Sequence, residues 1–297
     1  MSGMKSYCLL FLIFLSLSCQ EKKEKENTDS LLKEKNQLPP IPQSMVLFGE
    51  TIDLKDEDIR ERLDQELIVN AYFHSSTTLI IKRANRYFTN LEKLLKEEKI
   101  HDDFKYLCVI ESNLTQAKSP AGAMGFWQFM PQTAAEYNLI INPEIDERLD
   151  IQKSTRAACA YLRKSYAEFK NWILVAASYN RGMGGLRSDM KKQYTSNYFD
   201  TEMNNETARY VFRIMAMKII LENPKAYGFK VPTNALYPIQ KTKAINISLP
   251  ITDLALWSKN NGVNIKIVRK LNPWILGNSL TIQPINFIIA LPIASII

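Results

Sequence analysis

Between residues 53 and 221 apolar side chains return every three or four positions, the spacing of one helix face. Ile59, Leu63, Leu67 and Asn70 form such a stripe and predict a helix from Asp53 to Phe73. Ile80, Ala84, Tyr87, Leu91 and Leu95 predict a second through Lys99, with Ser75 or Ser76 as its N-cap. A third follows a cap at Asp102. Its face of Phe104, Leu107 and Cys108 is continued by Glu111. Pro131 suits the first turn of a short helix to about Tyr137. Ile151 to Phe169 repeats the pattern with Ala157, Ala158, Tyr161, Leu162 and Tyr166, and Asn171 to Asn180 is a short apolar helix. The glycine-containing run Arg181 to Gly185 breaks it. A long helix from a cap at Asn205 to about Leu221 stops at Asn223-Pro224.

After Phe229 the period changes. Ala244 to Leu249 alternates as a strand does, Asp253 and Asn264 cap helices to Lys259 and Leu271, Asn272-Pro273-Trp274 turns the chain, and Phe287 to Leu291 is a second strand. The expected fold class is therefore mainly α, with a helical body and a small C-terminal α+β module.

One polar position interrupts this pattern. Glu111 lies where core side chains point, beside Val109, Ile110 and Leu114, whereas a solvated glutamate would have polar neighbours. After it come Ser112, Asn113, Ser119, Pro120, Gly122 and Gly125, then the aromatic run Phe126-Trp127-Gln128-Phe129-Met130. A carboxyl kept from water has its charged form disfavoured, so its pKa rises. A glutamic acid still protonated near neutral pH can serve as a general acid.

The front end has a different character. Lys5, the apolar run Tyr7 to Leu17 and the small Ser18 before Cys19 read as a secretory signal over residues 1–18, too short to span a bilayer. A charged, then proline-punctuated stretch, residues 19–44, reads as a disordered spacer. Of the four cysteines, Cys8 would leave with the signal. Cys108 and Cys159 sit in apolar helical patterns and look like small core sites. Two buried thiols fit that better than a disulfide, which an exported protein would permit. The two histidines, His74 and His101, lack ligand spacing to a cysteine or acidic cluster, so neither metal nor cofactor is expected. No interleaving of basic and aromatic residues suggests a nucleic-acid partner.

Glu111-Ser112 with Ser119-Pro120-Ala121-Gly122-Ala123-Met124-Gly125-Phe126-Trp127-Gln128-Phe129-Met130-Pro131 resembles the signature of lytic transglycosylases with a lysozyme-like domain. The pattern is most similar to the branch of membrane-bound lytic murein transglycosylase D. Asp146-Glu147-Arg148 with Asp150, Ser178-Tyr179-Asn180-Arg181-Gly182, and Glu206 to Val211 follow in the family's order. The resemblance covers roughly residues 45–230, with a catalytic core of about 96–225, and residues 240–292 resemble a LysM-like module. A structural cap packed on the body fits that last stretch equally well.

The resemblance implies cleavage of the β-1,4 bond between N-acetylmuramic acid and N-acetylglucosamine, with a 1,6-anhydromuramyl end. Glu111 would be acid and then base. Ser112, Ser119, Gln128, Tyr179, Asn180 and Tyr210 would bind substrate or support the acid. Trp127 and Phe129 would be apolar walls or core, and Asp146, Glu147, Arg148 and Asp150 a structural charge knot. Cys19 resembles a lipidated cysteine. This implies a monomeric outer-membrane lipoprotein, more on the periplasmic than the outer face, acting on peptidoglycan glycan strands. The net charge of +7 fits approach to such anionic polymers and surfaces, and fits solubility alone equally well. Two alternatives remain: a goose-type lysozyme-like hydrolase using Asp146 or Asp150 to orient water, and a non-catalytic peptidoglycan-binding lipoprotein.

Overall fold

Short polar side chains start most of the helices, as the sequence suggests, though not always at the expected residue. The computed structural model describes residues 38–282 and 286–293. The described residues from Ile41 onward belong to one compact unit. A hairpin, β1 (Ser44–Leu47) and β2 (Glu50–Asp53), precedes helices α1 (Glu57–Tyr72), α2 (His74–Glu97), α3 (Phe104–Ser112) and α4 (Pro131–Glu136). Helices α5 (Ile151–Phe169), α6 (Trp172–Arg181), α7 (Met183–Gln193) and α8 (Asn205–Glu222) complete the helical body. The C-terminal module follows as β3 (Thr242–Ile247), α9 (Leu254–Asn260), α10 (Ile265–Leu271) and β4 (Phe287–Pro292). The expected signal, Cys19 and most of the spacer lie outside the described residues. Among those described, no helix is long and apolar enough to cross a membrane.

Asp56, Asp150, Asn171, Asn204, Asp253 and Asn264 each accept a hydrogen bond from a first-turn backbone N–H and so fix the starts of α1, α5, α6, α8, α9 and α10. Four expected helix starts are corrected. The cap expected at Asn205 is Asn204 instead, whose side chain accepts the Thr207 N–H, and Asn205 is the first residue of α8. The helix expected from Asp53 starts after Asp56, because Asp53 is the end of β2. Neither Ser75 nor Ser76 caps α2, which starts at His74 behind Phe73 with no side-chain cap. Asp102 is not the cap of α3; Asp103 holds that position and makes no capping bond. The Asp103 carboxylate instead accepts the Phe48 N–H at 2.8 Å and the Lys218 ammonium at 2.7 Å.

The hairpin β1–β2 was not expected. Its antiparallel register ends at Leu47 opposite Glu50, and Phe48 and Gly49 form the turn with positive φ of 53° and 83°. Phe48 is buried and stacks on Phe104 at 4.3 Å. Such a pair adds about 0.5–1.5 kcal/mol beyond burial. The tip of the hairpin is thus anchored to the start of α3.

Helix α8 is the axis of the body. Tyr210, Val211, Phe212, Ile214, Met215, Ala216 and Ile220 are all nearly inaccessible, and α8 packs against α1, α3 and α6. A helix apolar on most sides belongs inside a bundle. Cys108 and Cys159 are free and buried. Burial pushes both thiols up, that of Cys159 to about 12, so neither is poised as a thiolate.

The C-terminal strands pair antiparallel from Thr242–Pro292 to Ile247–Phe287, with α9 and α10 between them in sequence. This reproduces the strand–helix–helix–strand order read from the periodicity. Its small core includes Leu254, Val268, Trp274 and Ile289, but also Ile145 and Leu149 from the body.

Candidate functional site

Glu111 is in the last turn of α3, one residue before Ser112 ends the helix. Asn113 closes it in the left-handed conformation at φ 52°. Because α3 packs on α8, the Glu111 carboxyl meets the Tyr210 hydroxyl, which donates a short hydrogen bond to Oε1. Oε2 has no protein hydrogen bond among the described residues, yet it is not sealed from solvent. One oxygen is therefore held and the other is open.

Burial raises the Glu111 pKa above the ordinary 4.5, and the charge of Glu206 adds to the rise. The Tyr210 bond and the charge of Arg213 act the other way without cancelling it. Burial and the nearby Glu111 charge push the Tyr210 phenol well above its ordinary value, so it remains a donor. Tyr179 is held up by the same two causes, in that order.

The loop after α3 is tied by its own polar groups. Ser119 Oγ accepts the Ala123 N–H at 3.0 Å, and the Gln128 amide donates to Ala117 O at 3.0 Å and Gly125 O at 2.7 Å. Gln128 adopts a left-handed backbone, φ 48°, to make this turn. Gly125 has φ 82°, and a Cβ there would meet Arg148 O at 2.1 Å, so this contact excludes any side chain. Trp127 and Phe129 are core residues rather than exposed walls, at 0% and 3% exposure. The Trp127 indole donates to Thr155 Oγ1 at 2.9 Å.

The expected site residues divide accordingly. Glu111 and Tyr210 touch. Tyr179 is adjacent, and its hydroxyl donates at 2.8 Å to Trp127 O instead of to Glu111. Asn180 is taken up between α6 and α8: its amide donates to Glu206 at 3.0 Å and its carbonyl accepts from Thr207 Oγ1 at 2.7 Å. Ser112 is buried and donates back to Cys108 O at 3.1 Å, which secures the helix end and leaves no hydroxyl facing outward. Ser119 and Gln128 line the loop by holding its backbone. Arg213 and the electrostatic role of Glu206 went unread. Arg213 donates to Ile110 O at 2.9 Å, one residue before Glu111. The signal was present, because 206, 210 and 213 recur at helical spacing on α8.

The charge knot is structural. Arg148 pairs with Asp146 at 2.7 Å and donates to Gly122 O at 2.9 Å and Phe129 O at 3.1 Å. Asp150 caps α5, and Glu147 accepts the Ile140 N–H at 2.8 Å and pairs with Lys153. His101, unlike its sequence reading, does lie in an acidic cluster: its ring nitrogen is 3.3 Å from Asp102 and 3.6 Å from Asp103. The three residues offer ligand-type atoms within 4.8 Å of one another, but Asp103 already serves Phe48 and Lys218.

Residues 90–201 match the family model described as the transglycosylase SLT domain, and residues 243–295 match that of the soluble lytic transglycosylase C-terminal LysM-like domain. The first match spans every expected body-site residue except Tyr210. A curated relative, the membrane-bound lytic murein transglycosylase D of Escherichia coli K12, is 26% identical over 232 residues, 76% of this chain and 50% of that protein. A putative tributyltin chloride resistance protein of Alteromonas sp. strain M-1 is 28% identical over 177 residues, 57% of this chain and 85% of that one. Among solved structures, an inactive mutant of lytic transglycosylase Slt from Pseudomonas aeruginosa aligns at TM-score 0.37 and 20% identity, over 52% of this chain and 26% of that one. The chain spans about half the length of the first of these curated relatives.

Proposed function

We propose, from the premise that this chain carries the SLT domain of the lytic transglycosylases and their LysM-like C-terminal domain, that it cleaves peptidoglycan glycan strands between N-acetylmuramic acid and N-acetylglucosamine. Protonated Glu111 donates its proton to the glycosidic oxygen as positive charge grows on the muramyl ring. The resulting carboxylate takes the proton of the muramyl C6 hydroxyl, whose oxygen closes on C1 to give the 1,6-anhydro end. No water is consumed. The Tyr210 hydroxyl keeps Oε1 fixed through both transfers, which leaves Oε2 to exchange the proton.

The observation that carries this reading is that neither acid the sequence offered as a second carboxylate is free to act beside Glu111. A hydrolase needs one to orient water. Asp146 is bound to Arg148 and Asp150 caps α5, so the two acids that the sequence offered for that role are engaged elsewhere. Glu206 remains the carboxylate whose charge reaches Glu111, and it is exposed and bound to Asn180. The membrane-bound relative and the Cys19 junction support an envelope lipoprotein anchored at Cys19 and working on the periplasmic face of the outer membrane.

Digestion of purified sacculi by the wild type and by Glu111→Gln, with product masses, tests the assignment. A transglycosylase releases muropeptides one water lighter than hydrolysis products, and the variant releases none. Reducing-end products would make the protein a hydrolase. Absence of any product from the wild type would leave a binding protein.

A further inference from the structure

We propose that the C-terminal module is a working part of the catalytic domain, latched by Glu144 and bracing, through the Asp146–Arg148 pair, the loop 116–130 that frames Glu111. The assignment of chemistry to Glu111 rests on the function proposed above; the brace itself rests on three sets of contacts.

The first set is the latch. Glu144 lies in the body, in the turn before the charge knot, and is buried. Its carboxylate receives the Ser279 hydroxyl at 2.5 Å, the Thr281 hydroxyl at 2.8 Å, and the backbone N–H groups of Thr281 and Ile282 at 2.6 and 2.9 Å. Its own carbonyl accepts from Leu276 at 2.8 Å and Gly277 at 3.0 Å. A Cβ at Gly277 would lie 3.1 Å from the Glu144 Cα, so the two backbones are in close contact. A carboxylate with four donors from a single segment is a bound anion site filled by the protein itself.

The second set joins the latch to the knot. Ile145 bridges Ile275, and the Asp146 N–H donates to Trp274 O at 2.9 Å. Ile145 and Leu149 enter the small core of the module. Asp146 is therefore positioned by the module on its backbone side while its carboxylate holds Arg148.

The third set reaches the site. Arg148 donates to Gly122 O and Phe129 O, its own carbonyl packs against Gly125, and Gln116 donates to Leu149 O at 3.0 Å. Both ends and the middle of the loop are thus tied to residues 148 and 149. The loop in turn offers Trp127 O to Tyr179, beside Glu111. Displacement of a catalytic frame by about 1 Å costs on the order of 100-fold in rate, so a brace of this kind acts on turnover before it acts on substrate affinity.

Glu144 is a positioning residue, and its test separates position from stability. Full-length Glu144→Ala and Glu144→Gln are compared with the wild type on soluble glycan strands and by amide hydrogen exchange. Glu144→Ala should lower kcat roughly 10- to 100-fold with KM little changed. Exchange at Met124, Gly125 and Gln128, whose N–H groups bond within the loop, should quicken about tenfold while α8 amides keep their rates. Glu144→Gln keeps the shape and can donate to the two hydroxyls but lacks the charge, so it should restore part of both. Should Glu144→Ala fail to fold, Ser279→Ala carries the same comparison at smaller amplitude. Loop exchange unchanged while Ile251 and Leu280 amides quicken would overturn the proposal and make the module a passive cap. A wild type without turnover would sink the functional reading instead, and the exchange comparison would still decide the brace.

Discussion

Glu111 and Glu144 are two shielded glutamates in one compact unit, and their surroundings drive them in opposite directions. At Glu111 a single phenol donates, and burial wins: the carboxyl is held above 4.5. At Glu144 burial also pushes upward, but the Ser279 hydroxyl, the Ile282 and Thr281 amides and the Thr281 hydroxyl outweigh it and hold the group at about 2. The difference shows that loss of water alone does not make an acid. What keeps Glu111 able to carry a proton is the scarcity of donors around it. The same scarcity leaves Oε2 for a substrate, whereas every oxygen of Glu144 is spent on the fold. One region is built to change protonation state, the other to keep it.

The most severe way to break this contrast is Glu111→Gln. It removes the proton and keeps the shape, so turnover of sacculi should fall by roughly 10²–10⁴-fold or more. Melting at neutral pH should stay equal or rise, since a carboxyl whose ionised form burial disfavours has gone. Retained turnover would reject the assigned acid. Next in size is Gly125→Ala. The new methyl would meet Arg148 O at 2.1 Å from a backbone with φ 82°, so the loop must move, at a cost of at least about 1–3 kcal/mol. Both the melting temperature and kcat should drop, and a variant active and stable as the wild type would refute the close contact between the loop and residue 148.

A milder intervention is acid. Glu144 has a folded value of about 2 against the ordinary 4.5. A depressed carboxylate contributes stability that is present above its unfolded value and is lost as pH falls through the folded one. The latch should therefore be at full strength at neutral pH and weaken from about pH 4.5 towards pH 2. Glu144→Gln, costing about 1–3 kcal/mol at neutral pH, should melt progressively closer to the wild type over that window. A gap in melting temperature that is constant with pH would mean the carboxylate charge does not hold the module.

Much of the fold, and the Glu111 side of this contrast, was legible beforehand. Helical periodicity located α5 to the residue, and the change to alternation after Phe229 gave the order of the C-terminal module. The apolar neighbours of Glu111 foretold its raised pKa. The misses have physical causes. The hairpin β1–β2 has four-residue strands and turns on Phe48-Gly49, which lacks the Asn-Gly signal that marks such turns. The start of α7 was hidden because Gly182 ends α6 and begins α7 at once, so the glycines read only as a break. Trp127 and Phe129 read equally as groove walls or as core, because no local pattern distinguishes the two, and packing puts them in the core. Glu144 gave no signal at all: its donors arrive from more than 130 residues away, and a lone acid among Asn142, Pro143 and Ile145 resembles any loop carboxylate.

The finest test concerns how the surroundings of Glu111 tune it. Activity that needs the protonated acid declines as pH rises through its pKa, so the alkaline limb of the rate profile reports that value. The Tyr210 bond lowers the pKa and the Glu206 charge raises it, the latter being the weaker influence. Tyr210→Phe should therefore move the alkaline limb to higher pH, together with a loss of kcat as Oε1 loses its donor. Glu206→Gln should move the limb slightly to lower pH, with products still one water lighter than those of hydrolysis. A Glu206→Gln variant that loses turnover altogether would instead mark Glu206 as a second working carboxylate. The contrast with Glu144 would then have to be redrawn, with two acids rather than one set for proton transfer on the α8 side of the site.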